Sequence, residues 1–237
     1  MKLHRFYGLL LAIFPLFSCA TRIDGVIAES GKSQLYVDTS LKPGITALVR
    51  MLVAAGGQQG GLILDGQAIS KSLSDSSSGN VSASLKNTSP SAIEGNLNIE
   101  NINRFLFSVY GESERFVEFE QGKNGGKCKF YIDLSGGPEV LNLVSPEIAA
   151  YLNVLMAPVA TGEEMTKTEY LALVSSIFSK AISDEIASSK IHISVGFPGQ
   201  VTSAAGGKFT GKTAEFDIPL LDILVLETPV TYEVNWK

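Results

Sequence analysis

Apolar and polar residues alternate through Ser33 to Ser40, where Leu35, Val37 and Thr39 share one face, and again through Val81, Ala83 and Leu85 and through Ile93, Leu97 and Ile99. A period of two marks a strand with one buried face. The second and third of these runs are joined by the polar stretch Asn87 to Ser91, which predicts an antiparallel hairpin with one side facing water. Phe116 to Gln121 and Lys127 to Leu134 flank Gly122-Lys123-Asn124-Gly125-Gly126, a second hairpin whose Asn-Gly supplies the positive-φ residues such a turn needs. Later runs at Ile191 to Val195, Val201 to Ser203, Ala214 to Ile218 and Val230 to Trp236 predict a strand-rich ending in which Val230, Tyr232, Val234 and Trp236 share a face.

Helical spacing separates these strands. Pro43 opens a helix with Ile45, Leu48, Val49 and Leu52 as its stripe, and Gly56-Gly57 ends it. Asp65 caps a short helix carrying Ile69 and Leu73, and Ile102, Phe105, Leu106 and Val109 mark another. Ser145-Pro146 starts a helix through Ile148, Tyr151, Leu152, Leu155 and Met156. Thr166 and Glu169 have capping-box spacing, and the apolar positions from Tyr170 to Ile186 predict one long amphipathic helix. The order of elements is that of an α+β fold with a mostly antiparallel sheet and helices packed on one face, and its first part is compatible with a ferredoxin-like split β-α-β unit.

The N-terminal end has a different pattern. Lys2, His4 and Arg5 precede an apolar run from Tyr7 to Phe17, which ends at Ser18, Cys19 and Ala20. A basic start, a short apolar stretch and small residues at its end form a secretory signal peptide, whereas a membrane-spanning helix needs roughly 20 apolar residues. Leu16-Phe17-Ser18-Cys19 resembles the bacterial lipobox. That resemblance implies removal of residues 1–18, acylation of Cys19 and attachment to a membrane through the acyl chains, with the domain outside the cytoplasm. Residues 19–32 then form the lipidated N-terminus and a short tether. Residues 33–237 form a single composite domain, with a possible sub-boundary near Gly136.

Composition narrows the partners. Removal of residues 1–18 from the 237 leaves 219, with 17 basic and 24 acidic residues, a formal charge of −7. Such a chain has no basic cluster to favour nucleic acid or anionic lipid headgroups through counterion release. Cys128 is left without a disulfide partner if Cys19 carries lipid; a small strand residue is the simpler reading, although Lys127 and Lys129 beside it raise the question of a reactive thiol.

No motif for catalysis or for a metal or cofactor emerges. Gly56-Gly57-Gln58-Gln59-Gly60-Gly61 lacks the Gly-Lys-Ser/Thr ending of a phosphate loop and follows a helix instead of a strand. His192 is the single histidine after Cys19 and reads as a partly exposed strand residue; it has no zinc-ligand spacing around it and no nucleophile elbow to serve. Glu163-Glu164 and Asp184-Glu185 are sequence neighbours that do not face each other on a helix, and they read as solvated helix ends.

Phe197-Pro198-Gly199-Gln200-Val201, Ala205-Gly206-Gly207 and Gly211-Lys212-Thr213-Ala214-Glu215-Phe216 together resemble the closing segment of LppM-like bacterial lipoproteins. The "GVIAESG" start, the "LDGQAISKSL" stretch and the "PLLDILVLETPVTYEV" end are similar to those of small spirochaete lipoproteins. These resemblances imply a membrane-anchored α+β domain of the cell envelope and no catalytic residues. The expected function is therefore a non-enzymatic envelope lipoprotein with a partner-binding or structural role. The alternative is a carrier of a lipid or other apolar ligand, with the helical stripes of 148–156 and 170–186 facing a cavity.

Overall fold

The computed structural model describes residues 20–55, 62–77, 79–110, 116–136 and 157–237. The strands are β1 (Ala20–Ile27), β2 (Ser33–Ser40), β3 (Val81–Ser89), β4 (Ala92–Ile99), β5 (Val117–Gly122), β6 (Gly125–Ile132), β7 (Lys190–Gly196), β8 (Val201–Ala205), β9 (Lys208–Thr210), β10 (Thr213–Pro219) and β11 (Val230–Trp236). The helices are α1 (Pro43–Ala55), α2 (Gly66–Ser76), α3 (Ile102–Tyr110), α4 (Ala157–Thr161), α5 (Lys167–Ile177), α6 (Lys180–Ala187) and α7 (Leu220–Val225).

Seven strands form one sheet in the order β3-β4-β2-β1-β7-β10-β9, and four form another in the order β5-β6-β11-β8. Pairing is antiparallel throughout except between β1 and β7, which run parallel. The architecture is the expected α+β class. Both sheets take strands from either side of Gly136.

Strand β1 departs from expectation. Residues Ala20 to Ile27 fall in the stretch expected as a tether, yet they form the middle strand of seven, paired along their whole length with β2. Their alternation is real but faint. Thr21 and Ile27 are buried on the inner face, Arg22 and Val26 are exposed on the outer one, and Gly25 occupies an inner position with no side chain to advertise it. A methyl group at Gly25 would lie 2.3 Å from the Gln34 carbonyl oxygen and 2.6 Å from Leu35 Cδ2. Leu35, opposite in register, already covers that space.

The split β-α-β unit is present, with different company from that expected. The chain crosses from β2 through α1 and α2 to β3, and β4 lies between those two strands. The place a ferredoxin-like unit gives to its last strand, on the far side of β2, is taken by β1. Residues 117–122, the expected last strand, instead pair with β6 in the smaller sheet.

The inner face of the large sheet holds Val37, Thr39, Leu85, Ile93, Leu97, Ile191 and Phe216, all buried. Thr21 and Thr39, opposite each other in register, satisfy their buried hydroxyls by hydrogen bonding together. Helix α7 follows β10 directly and packs against α4, α5 and α6, adding the buried Leu220, Leu221, Ile223, Leu224 and Val225 to the same core. An aromatic seam joins the two sheets. Trp236 of β11 stacks on Phe197, which follows β7, at 4.8 Å and on Phe119 of β5 at 5.5 Å, and its indole N–H donates to Gln121 Oε1 at 3.1 Å. Phe216 of β10 meets Tyr232 of β11 edge to face at 5.4 Å.

Local signals explain most helix ends. Asp65 Oδ1 accepts from the N–H groups of Gln67 and Ala68, and the Thr166–Glu169 capping box closes in both directions. The long helix expected from Tyr170 to Ile186 is two helices. Ser179 adopts an extended backbone and caps α6 by accepting from Ile182 N–H, which breaks the run after Ile177. In the β5–β6 hairpin the turn residues are Lys123 and Asn124, since Gly122 and Gly125 pair across it. Gly125 has φ +132°, and a methyl there would lie 2.0 Å from the Trp236 carbonyl oxygen. The helix expected over 148–156 and the glycine run 56–61 lie outside the described residues.

Gly25→Ala is expected to lower stability by about 1–3 kcal/mol, because neither backbone nor Leu35 can vacate the space without moving β1 against β2. Urea unfolding followed by the fluorescence of Trp236, the single tryptophan, measures it. An unchanged midpoint would contradict this packing of β1.

Candidate functional site

Among the described residues no element covers the outer face of the large sheet, and register lines up its side chains in rows. One row runs Lys86, Glu94, Asp38, Arg22, His192 and Asp217 across six neighbouring strands. The next runs Ser84, Asn96, Tyr36, Asp24, Ser194 and Glu215. Neighbours within and between these rows are joined. Lys86 Nζ lies 2.9 Å from Glu94 Oε1, and the Tyr36 hydroxyl donates to Glu94 Oε2 at 3.0 Å. Arg22 Nε lies 2.5 Å from Asp24, and Lys208 Nζ lies 3.0 Å from Glu215. Solvent screens exposed ion pairs of this kind, so the rows are a property of the surface more than a support of the fold.

His192 belongs to this face. Its Nδ1 is 2.9 Å from Asp217 Oδ1, and Lys190 Nζ is 3.2 Å from Asp217 Oδ2. An ionised carboxylate only accepts, so Nδ1 carries the proton in this contact. The His192 hydrogen bond holds the Asp217 carboxyl below the usual range; burial opposes it slightly and Lys190 adds to it. Likewise Lys86 first, and then Tyr36, hold the Glu94 carboxyl low.

At the end of the sheet where β1 begins, a cleft of about 360 Å³ opens beside the face. Ala20, Arg22, Asp38, Lys42, Lys190 and His192 are among the residues lining it. Lys42 Nζ donates to Ser188 Oγ at 2.7 Å and to the Glu185 carbonyl at 3.3 Å, both neutral oxygens.

The remaining chemistry-bearing residues have structural roles. Glu185 is no solvated helix end. Its Oε1 and Oε2 accept from Gly44 and Ile45 N–H at 3.0 Å each, so that a carboxylate from α6 caps α1, whose own Lys42-Pro43 start has no capping side chain. Asp184 pairs with Lys180 on its own helix. Burial pushes the Cys128 thiol up to about 12, so the flanking lysines do not activate it. Of the helical stripe proposed as a cavity wall, Tyr170, Val174 and Ile186 are buried in the common core. Among the described residues no group of three or more His, Cys, Asp or Glu is placed to hold a metal ion.

Cys19, the expected lipidation site, lies outside the described residues, one peptide bond before β1. Among the described residues no helix is long and apolar enough to cross a membrane. No family model matches the chain, and no curated protein matches it. Among solved structures, the NMR structure of the folded domain of the Mycobacterium tuberculosis protein LppM is similar to it. The TM-score is 0.38 and the identity 11%, over 92% of this chain and 88% of that one.

His192→Ala is expected to raise the Asp217 pKa toward the ordinary carboxylate range. A carboxyl lowered in the fold contributes stability above the ordinary range and loses it as pH falls through its folded value, so the variant loses that contribution. Carboxyl carbon shifts followed by NMR through an acid titration report it, and an unmoved Asp217 titration would contradict the contact.

Proposed function

We propose that this chain is a non-enzymatic lipoprotein of the cell envelope, anchored through acyl chains on Cys19, whose domain binds a protein partner. One observation carries the partner reading: among the described residues no element covers the outer face of the seven-stranded sheet, and its charged side chains stand in a fixed cross-strand register. A face of paired charges on a rigid sheet offers complementarity at little entropic cost to side chains already held.

Support for the anchor comes from the lipobox-like Leu16 to Cys19 and from the basic, then apolar, stretch that precedes it. Multiple acyl chains hold a protein durably, each buried methylene contributing about 0.8 kcal/mol. The non-enzymatic reading is supported by the engagement of His192 with Asp217 on an open strand face and by the raised Cys128 thiol.

Two measurements test the proposal. Intact mass spectrometry of protein extracted from its native membrane is expected to find a chain beginning at Cys19 with acyl mass, absent from Cys19→Ala; an unmodified chain would overturn the anchor. A photo-crosslinking residue at Tyr36, on the open face, is expected to yield one discrete protein adduct in the native membrane. The same residue at Lys123, in the turn of the smaller sheet, is expected to yield none. Matching patterns at both positions would overturn the partner face.

A further inference from the structure

The distance between the anchor and the sheet is fixed by the chain. Cys19 and Ala20 are consecutive, so their Cα atoms are about 3.8 Å apart. Ala20 is already paired with Ser40 of β2 and with Lys190 of β7. The interfacial layer on each side of a bilayer is roughly 5–8 Å thick. Acyl chains on Cys19 therefore leave no room for a solvent gap beneath the sheet. Strand β1 is also the fourth of seven, with three strands on each side, or roughly 14 Å of sheet to left and right. The attachment point is the middle of that end of the sheet.

That end carries the chemistry of a membrane surface. Arg22, Lys42 and Lys190 line the cleft beside Ala20, with Asp38 as an acidic member of its wall. Arg22 and Lys190 are paired with Asp24 and Asp217 at exposed contacts, while the described partners of Lys42 are neutral oxygens. Arg22, Lys42 and Lys190 come together here only in the fold, beside the carboxylates Asp24, Asp38 and Asp217, in a chain whose formal charge after Cys19 becomes residue one is −7. At the same end the Pro90 carbonyl, in the β3–β4 turn, accepts from Ile63 and Leu64 N–H, and the adjoining Leu62 side chain is 48% exposed.

We propose that this end of the large sheet is a membrane-docking surface, seated on anionic phospholipid headgroups through Lys42, Lys190 and Arg22, with Leu62 at the lipid boundary. The proposal rests on the acylation of Cys19. It makes the lipid an orienting anchor as well as a tie, because basic side chains held at an anionic surface are attracted to it. The opposite end of the sheet, about 23 Å along β1, lies beyond the reach of the surface potential, which decays over roughly 8–10 Å at ordinary salt. The open face then stands upright from the membrane.

The test uses full-length acylated protein reconstituted into vesicles of phosphatidylcholine with phosphatidylglycerol, of phosphatidylcholine alone, or kept in detergent. Lysine acetylation rates are read residue by residue by mass spectrometry. Lys42 and Lys190 are expected to react several-fold more slowly on the anionic vesicles than in detergent. High salt and the Lys42→Gln/Lys190→Gln variant are expected to remove the preference of Leu62 for the anionic surface, read by an environment-sensitive dye on Leu62→Cys. Lys32, at the far end of the sheet beside Glu100, is expected to react equally in all three. Unchanged rates at Lys42 and Lys190 on protein shown by mass to be acylated would overturn the docking surface and leave the anchor standing. Equal protection on both kinds of vesicle would overturn the headgroup contact. A chain without acyl mass would remove the anchor and the docking surface together.

Discussion

The pairing of β1 with its two neighbours is the constraint on which the large sheet depends. On one side it meets β2 antiparallel, and so joins the β2-β4-β3 group built from residues 33–99. On the other it meets β7 in parallel, and so joins the β7-β10-β9 group built from residues 190–219. Without β1 these two halves share no ladder within the sheet. The parallel pairing is the costly one, since it closes a loop of more than 160 residues between strands and gives slightly weaker hydrogen bonds. The buried inner side chains of both halves, Leu97 and Ile93 on one and Ile191 and Phe216 on the other, offset that cost by sharing one core.

The same strand links fold to function. Because it begins one residue after the lipobox-like cysteine, any anchor on Cys19 would be coupled directly to the middle strand of the large sheet. A long flexible linker would let the domain tumble above the membrane, whereas under the proposed acylation a central strand would give it a defined attitude. The rows of charges across the outer face would inherit that attitude. Arg22 stands in both settings, as the centre of the long charged row and as a wall of the cleft at the sheet end.

What the sequence made legible follows from locality. Hairpins at 81–99 and 117–132, the Asp65 cap, the Thr166–Glu169 box and the shared face of Val230, Val234 and Trp236 all depend on residues within a few positions of one another. Strand β1 was hidden because Gly25 occupies an inward position and leaves a gap in the alternation, while Arg22 and Asp24 give the segment a tether-like polarity. Helix α7 was hidden because Leu220 to Val225 is apolar nearly all round and shows no period. The cap on α1 comes from Glu185, 140 residues away, and no local pattern announces it. Cys19 is readable as a motif, but the charged row around His192 exists only once five registers are known.

Native-state hydrogen exchange across the N-terminal peptide is the most direct test of this account. Amides of β1 that hydrogen-bond to β2 and β7 are expected to exchange as slowly as those of β4, opening only with global unfolding. Exchange over Ala20 to Ile27 at the rate of an unprotected chain would contradict it, returning the segment to a flexible tether and detaching the sheet from its anchor.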